Sequence, residues 1–252
     1  MLALKKAFKV VGNGPNEKKV LLNKIDLSLK PGEFVTVVGG NGAGKSTLFN
    51  CICGTMPLTS GQVTIDDQNV TTLSEEKRAR FLARVFQDPK MGTAPRMTVA
   101  ENLLLAQKRG QKRSLGLRQL QGQRESFYAL CKEIGNGLEN HLDTPTGSLS
   151  GGQRQALSLL MATIQTPKLL LLDEHTAALD PKTSKQLMQI TAKRVEEQNL
   201  TCLMITHRME DALKYGDRLI LLRKGEIVKD LSADEKARLS LPELLLFFED
   251  DL

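Results

Sequence analysis

The sequence predicts an α/β fold with a mainly parallel sheet in its core, an antiparallel β portion at the N-terminus and an inserted α-helical subdomain. Short apolar runs at 34–38, 169–172 and 200–206 are typical of strands that are buried on both faces, as in parallel sheets. Helix signals alternate with these runs, which favours a sheet covered by helices. From about 88 to 165 the chain is charged, rich in Gln and helix-favouring, and this change of character marks the insert.

The length and composition are those of an ordinary globular protein. The 252 residues are 40% hydrophobic and 25% charged, which excludes collagen-like, disordered and disulfide-scaffold classes. We expect one domain over 1–252, with a core lobe of 1–87 and 166–252 and a helical subdomain of 88–165. The net charge of +6 permits an anionic partner such as a nucleotide, a nucleic acid or a membrane surface, but it selects none of them.

The sequence also allows predictions about the cellular location of the chain, about its basic patch and about its cysteines. No segment approaches the roughly 20 consecutive apolar residues of a membrane span, and the N-terminus lacks the apolar core of a signal peptide, so we expect a cytosolic chain. The basic patch at 108–118 is expected to be solvated surface. The cysteines lack the spacing of a zinc site, and we expect them to be buried as small apolar side chains: Cys51, Cys53, Cys131 and Cys202.

The elements of the N-terminal part follow from local patterns. The first 35 residues are predicted to form short strands, because apolar and polar residues alternate at 25–29. The buried strand 34–38 leads into a Gly-rich loop. A helix from about 45 to 53 follows the loop and is predicted to end at Gly54, because glycine favours the left-handed conformation that closes helices.

Later elements are marked by caps and turns. A helix over 151–165 is predicted to begin with a capping box formed by Ser150 and Gln153. Asp180 is predicted to cap the next helix, which opens with a proline and extends for about 18 residues. The dipeptide at 224–225, Lys-Gly, is predicted to turn a C-terminal hairpin.

The loop after the strand 34–38 fits G-x-x-x-x-G-K-[ST], the phosphate-binding P-loop. Its residues are Gly39, Gly40, Asn41, Gly42, Ala43, Gly44, Lys45 and Ser46, followed by Thr47. The backbone N–H groups of such a loop, and the helix start behind it, are predicted to hold phosphate oxygens. Lys45 is predicted to reach the β- and γ-phosphates, and Ser46 to bind Mg²⁺. A merely Gly-rich turn would explain the glycines but not the Lys-Ser-Thr sequence in a strand–loop–helix context.

Two adjacent carboxylates follow the apolar strand 169–172. Asp173 stands where an ATPase with a P-loop holds Mg²⁺, at the end of a second strand. Glu174 is predicted to accept a proton from the attacking water. Taken alone, Glu174 could equally cap or bridge at a strand end.

The segment 149–153 reads LSGGQ, which arises by chance on the order of once per million positions. It is a second helix start suited to phosphate, in which the Ser150 hydroxyl and the small residues Gly151 and Gly152 precede Gln153. One nucleotide needs both helix starts only if they face each other across it.

Together these motifs resemble one family closely, the ATP-binding subunits of ABC transporters. The shared segments, in the family's order and spacing, are 39–47, Gln87, LSGGQ at 149–153, LLLLDE at 169–174, ALD at 178–180 and His207. The resemblance covers nearly the whole chain and implies a P-loop ATPase core. It also implies a head-to-tail homodimer with two ATP molecules, each lying between the P-loop of one subunit and the LSGGQ of the other.

The resemblance implies further roles by position. Gln87 is expected to touch Mg²⁺ and the attacking water, and His207 to contact the γ-phosphate. Asp180 is expected to signal across the dimer. Phe8 is the candidate for stacking on adenine, with packing in the core as the alternative. His175 departs from the family, which often has Pro there, and no chemistry requires it.

The implied function is ATP hydrolysis that powers a transporter whose permease subunits are separate membrane chains, on the cytoplasmic side of the inner membrane. The segment 88–102 is expected to touch the permease. A separate ATPase chain of this size resembles bacterial importers more than exporters, so an external substrate-binding protein is expected. The stretches 150–163 and 173–184 are similar to subunits of amino-acid-type importers.

Two alternatives from other classes remain open at this point. A soluble ABC ATPase that acts as a scaffold in iron–sulfur cluster assembly is similar in length. A nucleic-acid-linked ABC ATPase usually carries two ATPase modules or a long coiled-coil insert, and this chain has neither. We therefore expect no nucleic-acid partner.

Overall fold

The computed structural model describes residues 1–12, 14, 18–111 and 120–249. Its strands are β1 (Leu2–Val11), β2 (Lys19–Leu29), β3 (Phe34–Val38), β4 (Ser60–Ile65), β5 (Gln68–Asn69), β6 (Leu82–Val85), β7 (Leu169–Asp173), β8 (Thr201–Ile205), β9 (Arg218–Arg223) and β10 (Glu226–Leu231). Its helices are α1 (Lys45–Cys53), α2 (Glu75–Arg78), α3 (Val99–Gln107), α4 (Arg124–Lys132), α5 (Gly151–Thr163), α6 (Pro181–Glu197), α7 (Met209–Lys214), α8 (Ala233–Arg238) and α9 (Leu241–Glu249). Short 3₁₀ helices lie at Gln121–Gln123, Leu138–His141 and Thr146–Ser148.

The N-terminal strands form an antiparallel sheet in the order β2-β1-β4-β5. The prediction of short strands was wrong, because β1 and β2 are 10 and 11 residues long. The pairing of β1 with β2 shifts register between Leu4 and Ala7, where Lys6 has a φ of 46°. Such a bulge reverses the phase of the inward and outward side chains, and it hides a long strand from a search for strict alternation.

The second sheet has six strands in the order β10-β9-β3-β8-β7-β6, and its pairs are parallel except for β9 with β10. The leucines of β7 alternate between the two faces of the sheet. Leu169 and Leu171 belong to the apolar cluster that includes α1, and Leu170 and Leu172 belong to the cluster that includes α5. Burial on both faces explains why the first four residues of this strand are all leucine. The predicted parallel sheet is confirmed.

Between β6 and β7 the described residues form helices and loops, as predicted for the insert. The helices α3, α4 and α5 share one apolar core with the face of the parallel sheet, through residues such as Leu103, Phe127 and Leu157. The expected solvated basic patch is partly wrong, because the guanidinium of Arg109 donates to the carbonyls of Ala162 at 2.9 Å and Gln165 at 2.6 Å. Residues 112–118 of that patch lie outside the described residues.

The structure also bears on the predictions for the end of α1, the C-terminal hairpin, the cysteines and membrane spans. Helix α1 ends at Gly54, with a φ of 86°, and the C-terminal hairpin turns at Lys224 and Gly225, as predicted. The four cysteines are free and buried, and burial raises the pKa of Cys51 and Cys53 to about 11. No helix of the described part of the chain has the length and apolar character needed to cross a membrane.

Candidate active site

The P-loop begins where β3 ends and leads directly into α1. A Cβ added to Gly39 would lie 2.3 Å from the carbonyl oxygen of Leu222 in β9, so this position has room only for glycine. Gly44 precedes α1 with a φ of 104° and supplies no side-chain cap. The first N–H groups of α1 are therefore left to an anion, as in other phosphate-binding helix starts.

Lys45 is almost enclosed by the loop, with 9% of the residue exposed. Its ammonium donates hydrogen bonds to the carbonyls of Gly39 at 2.6 Å and Gly40 at 3.0 Å. Burial lowers the pKa of Lys45, and the nearby carboxylates of Glu174 and Asp173 oppose that effect. The cation is thus held at the loop with both predicted carboxylates in electrostatic range.

Glu174 and His207 come together at the ends of two neighbouring strands. The Glu174 amide extends the pairing of β7 with β8 by donating to the carbonyl of Ile205 at 3.0 Å. Its Oε2 lies 3.3 Å from Nδ1 of His207, which follows β8 and is half exposed. Glu174 has a φ of 47°, a conformation that costs a non-glycine residue energy and is found repeatedly at functional sites.

Asp173, the last residue of β7, has a partner that the sequence did not reveal. Its Oδ2 accepts from Nη2 of Arg84 in β6 at 2.5 Å, and both side chains are largely buried. Nη1 of Arg84 donates to Oδ1 of Asn50 in α1 at 2.8 Å. The only sequence signal was a charged residue within the otherwise apolar run of β6.

Gln87 follows β6 and its side chain is exposed. The backbone beside it is fixed from the insert, because Nε2 of Gln155 donates to the carbonyl of Phe86 at 2.8 Å. Gln155 is fully buried in α5, four residues after Gly151. This hydrogen bond links the LSGGQ helix to the loop that carries Gln87, and sequence reasoning missed it.

The LSGGQ segment starts α5 in the predicted way. Ser150 accepts from the amide of Gln153, and the Gln153 side chain accepts from the amide of Ser150, both at 3.2 Å. The capping box is therefore confirmed. This helix start borders a cleft without P-loop residues, lined by Asn136, Ser150, Gly151, Gly152, Gln153, Ala178, Leu179, Asp180, Thr183 and Gln186.

Asp180 caps α6, as predicted, by accepting from the amide of Thr183 at 3.1 Å. Hydrogen bonds from Thr183 lower the pKa of this exposed carboxyl. The side chain thereby stays ionised and faces the cleft beside LSGGQ. Its expected role in signalling across a dimer stays a prediction.

Phe8 is half-buried in β1, and its carbonyl accepts from the amide of Thr59 at 2.8 Å. It belongs to none of the three apolar clusters formed by the described residues. Packing in the core therefore does not explain this aromatic side chain. Stacking on adenine stays a prediction.

The donor atoms around the P-loop suit Mg²⁺. The predicted ligands are the Ser46 hydroxyl, the Gln87 amide oxygen and the Asp173 carboxylate, which are hard oxygen donors. Among the described residues, no group of three or more His, Cys, Asp or Glu side chains could hold a metal alone. Mg²⁺ in phosphate-transfer sites needs only one or two carboxylates, because substrate phosphates complete its shell.

Comparisons of this chain with a family model and with known proteins agree on one family. The family described as "ABC transporter" matches residues 22–177, which is more than half of the chain. The chain is 46% identical to the tyrosine transport ATP-binding protein of Clostridioides difficile over 250 residues, and the match covers 99% of each chain. It is 34% identical to a phosphonates import ATP-binding protein of Oceanobacillus iheyensis, and that match covers 87% of each chain.

Solved structures agree with these relatives. The chain superposes with a TM-score of 0.79 on the ATP-binding cassette MJ0796, described as a dimer in a post-hydrolysis state bound to ADP and Pi. That match is 30% identical in sequence and covers 92% of this chain and 99% of the other. The predicted α/β fold, with its parallel and antiparallel sheets, is thereby confirmed.

Proposed function

We propose that this chain, which belongs to the ABC transporter family, supplies the energy for solute import by hydrolysing ATP. It is an ATP-binding subunit of the import type, like its relatives. The observation that carries the site assignment is the meeting of Lys45, Glu174 and His207 at the carboxyl ends of neighbouring parallel strands. Ligands of open α/β sheets bind at that edge.

Each residue of the site has a separate role in the proposed hydrolysis of ATP. Lys45 exchanges its two carbonyl partners for phosphate oxygens, and the first amides of α1 add their positive dipole end. Glu174 accepts a proton from the attacking water, and His207, whose Nδ1 lies 3.3 Å from Oε2 of Glu174, orients that carboxylate and contacts the γ-phosphate. Ser46, Gln87 and Asp173 would hold Mg²⁺, whose charge would offset that of the phosphates.

The working unit in this proposal is a homodimer. LSGGQ and Asp180 line a cleft that contains no P-loop residue of the same chain. An ATP molecule held by both phosphate-binding helix starts therefore takes one from each of two chains, with Ser150 and Gly152 on the partner's γ-phosphate. The dimeric cassette MJ0796, bound to ADP and Pi, supports this arrangement.

The surface next to Gln87 suits the membrane partner. A groove, here called the β6 groove, is lined in part by Ala83, Arg84, Phe86, Met91, Leu105, Arg109 and Met161. Met91 is 70% exposed and Leu105 is 55% exposed, which is unusual for large apolar side chains. We assign the permease subunits to this groove, within and beside the segment 88–102, and thus place the chain at the membrane through its partners.

The most specific part of the proposal is the identity of the imported solute. The relative named for tyrosine transport matches the chain over nearly its full length, which supports an amino acid as the imported solute. An external binding protein that delivers the solute belongs to the same proposal. Relatives named for import also favour transport over a role in iron–sulfur cluster assembly. Uptake of labelled tyrosine, competed by excess unlabelled phosphonate or thiamine, tests the cargo, and competition by either rival would contradict it.

Replacement of Glu174 by Gln tests the assigned chemistry. The amide keeps the size of the side chain but cannot take a proton, so hydrolysis should fall by at least about 100-fold while ATP binding persists. The variant should accumulate as an ATP-bound dimer in size-exclusion chromatography. Glu197→Gln, on the exposed face of α6, is the matched control and should hydrolyse ATP normally. A normal rate for Glu174→Gln would overturn the assignment of the base.

A further inference from the structure

Arg84, which forms a buried ion pair with Asp173, has no role in the proposed chemistry. Nη2 of Arg84 donates to Oδ2 of Asp173 at 2.5 Å, and the two side chains are 11% and 14% exposed. Asp173 is also the carboxylate that the proposed function gives to Mg²⁺. A cation supplied by the chain itself therefore already occupies one oxygen of the predicted metal ligand.

The position of Arg84 is fixed from several sides. Nη1 donates to Oδ1 of Asn50 in the P-loop helix at 2.8 Å. The guanidinium carbon lies 4.7 Å from the centroid of the Phe86 ring and 5.9 Å from that of Phe49. The side chain therefore bridges β6, α1 and β7.

The ion pair between Arg84 and Asp173 adds little stability by itself. The buried Nε of Arg84 has no hydrogen-bond partner of its own among the described residues, and the other polar neighbour of the guanidinium is the thiol of Cys53, a weak acceptor. A buried ion pair recovers little more than the cost of removing its charges from water, and an unpaired N–H adds to that cost. An apolar residue would suit the neighbouring Phe49 and Phe86 rings, so the charge at this position points to another role.

We propose that Arg84 is a positioning residue that holds the carboxylate of Asp173 and lowers the affinity of the site for the divalent cation. The inference rests on the proposed function of Asp173. A fixed positive charge beside a metal ligand repels the incoming cation and shares the ligand's charge. The pair thereby keeps Asp173 in place before nucleotide arrives and favours release of the metal with the product.

The test measures metal affinity in place of turnover. Mn²⁺ binding to the ADP-loaded protein is titrated by electron paramagnetic resonance for the wild type, Arg84→Met and Arg84→Lys. Removal of the charge in Arg84→Met should tighten Mn²⁺ binding about fivefold or more. Arg84→Lys keeps the charge and should stay within about twofold of the wild type. Unchanged or weaker binding by Arg84→Met would overturn the proposal.

A matched control and a second variant complete the design. Arg124 donates from Nη1 and Nη2 to the exposed carboxylate of Asp143 at 2.6 and 2.7 Å, and Asp143 is not a predicted metal ligand, so Arg124→Met should leave Mn²⁺ affinity unchanged. If Arg84→Met does not fold, Arg84→Gln replaces it, with the same expected tightening. Binding of a fluorescent ADP analogue in EDTA is measured in parallel. If the wild type does not bind the ADP analogue, that result contradicts the proposed function. It does not bear on the effect of Arg84 on the metal.

Discussion

Protonation of His175 should make the stability of this protein depend on pH. The imidazole is 2% exposed, and its Nε2 lies 3.0 Å from Oγ1 of Thr191. That hydroxyl donates to the carbonyl of Leu187 at 2.8 Å, so it accepts a hydrogen bond from Nε2–H of a neutral ring. Burial lowers the pKa of His175 to about 4 from its ordinary 6.5, because the charged ring would lose its water.

The sign and size of the effect follow from this shift. The unfolded chain binds a proton at His175 below pH 6.5, and the folded chain does so only near pH 4. The stabilisation is therefore complete above the unfolded pKa and is lost as the pH falls from 6.5 toward 4. Between about pH 7.5 and pH 5, the free energy of unfolding should fall by about 2 kcal/mol through this residue alone.

Urea unfolding at several pH values, for the wild type and His175→Gln, measures this contribution. The Gln amide can still donate to Thr191, so the variant should fold, but it cannot titrate. The difference in stability between the two proteins should change by about 2 kcal/mol between the two pH values. Parallel pH profiles for the wild type and His175→Gln would refute the argument.

Two further predictions concern the backbone around the site. Gly39→Ala should destabilise the fold by about 1–3 kcal/mol in urea unfolding and impair ATP binding, because its Cβ would lie 2.3 Å from the carbonyl oxygen of Leu222. Gly122→Ala is the control, since a Cβ there meets nothing within 4 Å, and an equal loss from both variants would contradict the steric explanation. Asp180→Ala should cost about 1 kcal/mol by removing the cap of α6, whereas Asp180→Ser should retain most of the stability. Equal losses from Ala and Ser at this position would show that capping is not the reason.

Local signals account for the elements that the sequence predicted well. Helix α1 follows a P-loop and ends at a glycine in the left-handed conformation, so both of its ends are encoded within a few residues. The same is true of the capping box of α5 and of the cap and proline that open α6. The long strand β1 was harder to predict, because its bulge at Lys6 depends on pairing with β2.

In the candidate site too, the sequence predicted the individual residues, and the structure was needed to show how they meet. Motif spacing predicted Lys45, Asp173 and Glu174, because phosphate chemistry needs those residue types at helix starts and strand ends, and the family resemblance added His207.

Only the tertiary structure decided which of these groups meet and what else joins them. The 3.3 Å contact of Glu174 with His207 needs β7 and β8 to be neighbours. The pairing of Arg84 with Asp173 likewise needs β6 beside β7, and the bond from Gln155 to Phe86 needs α5 to pack on the loop after β6. Such contacts join residues far apart in the chain, and their energies depend on burial and distance, which packing alone sets.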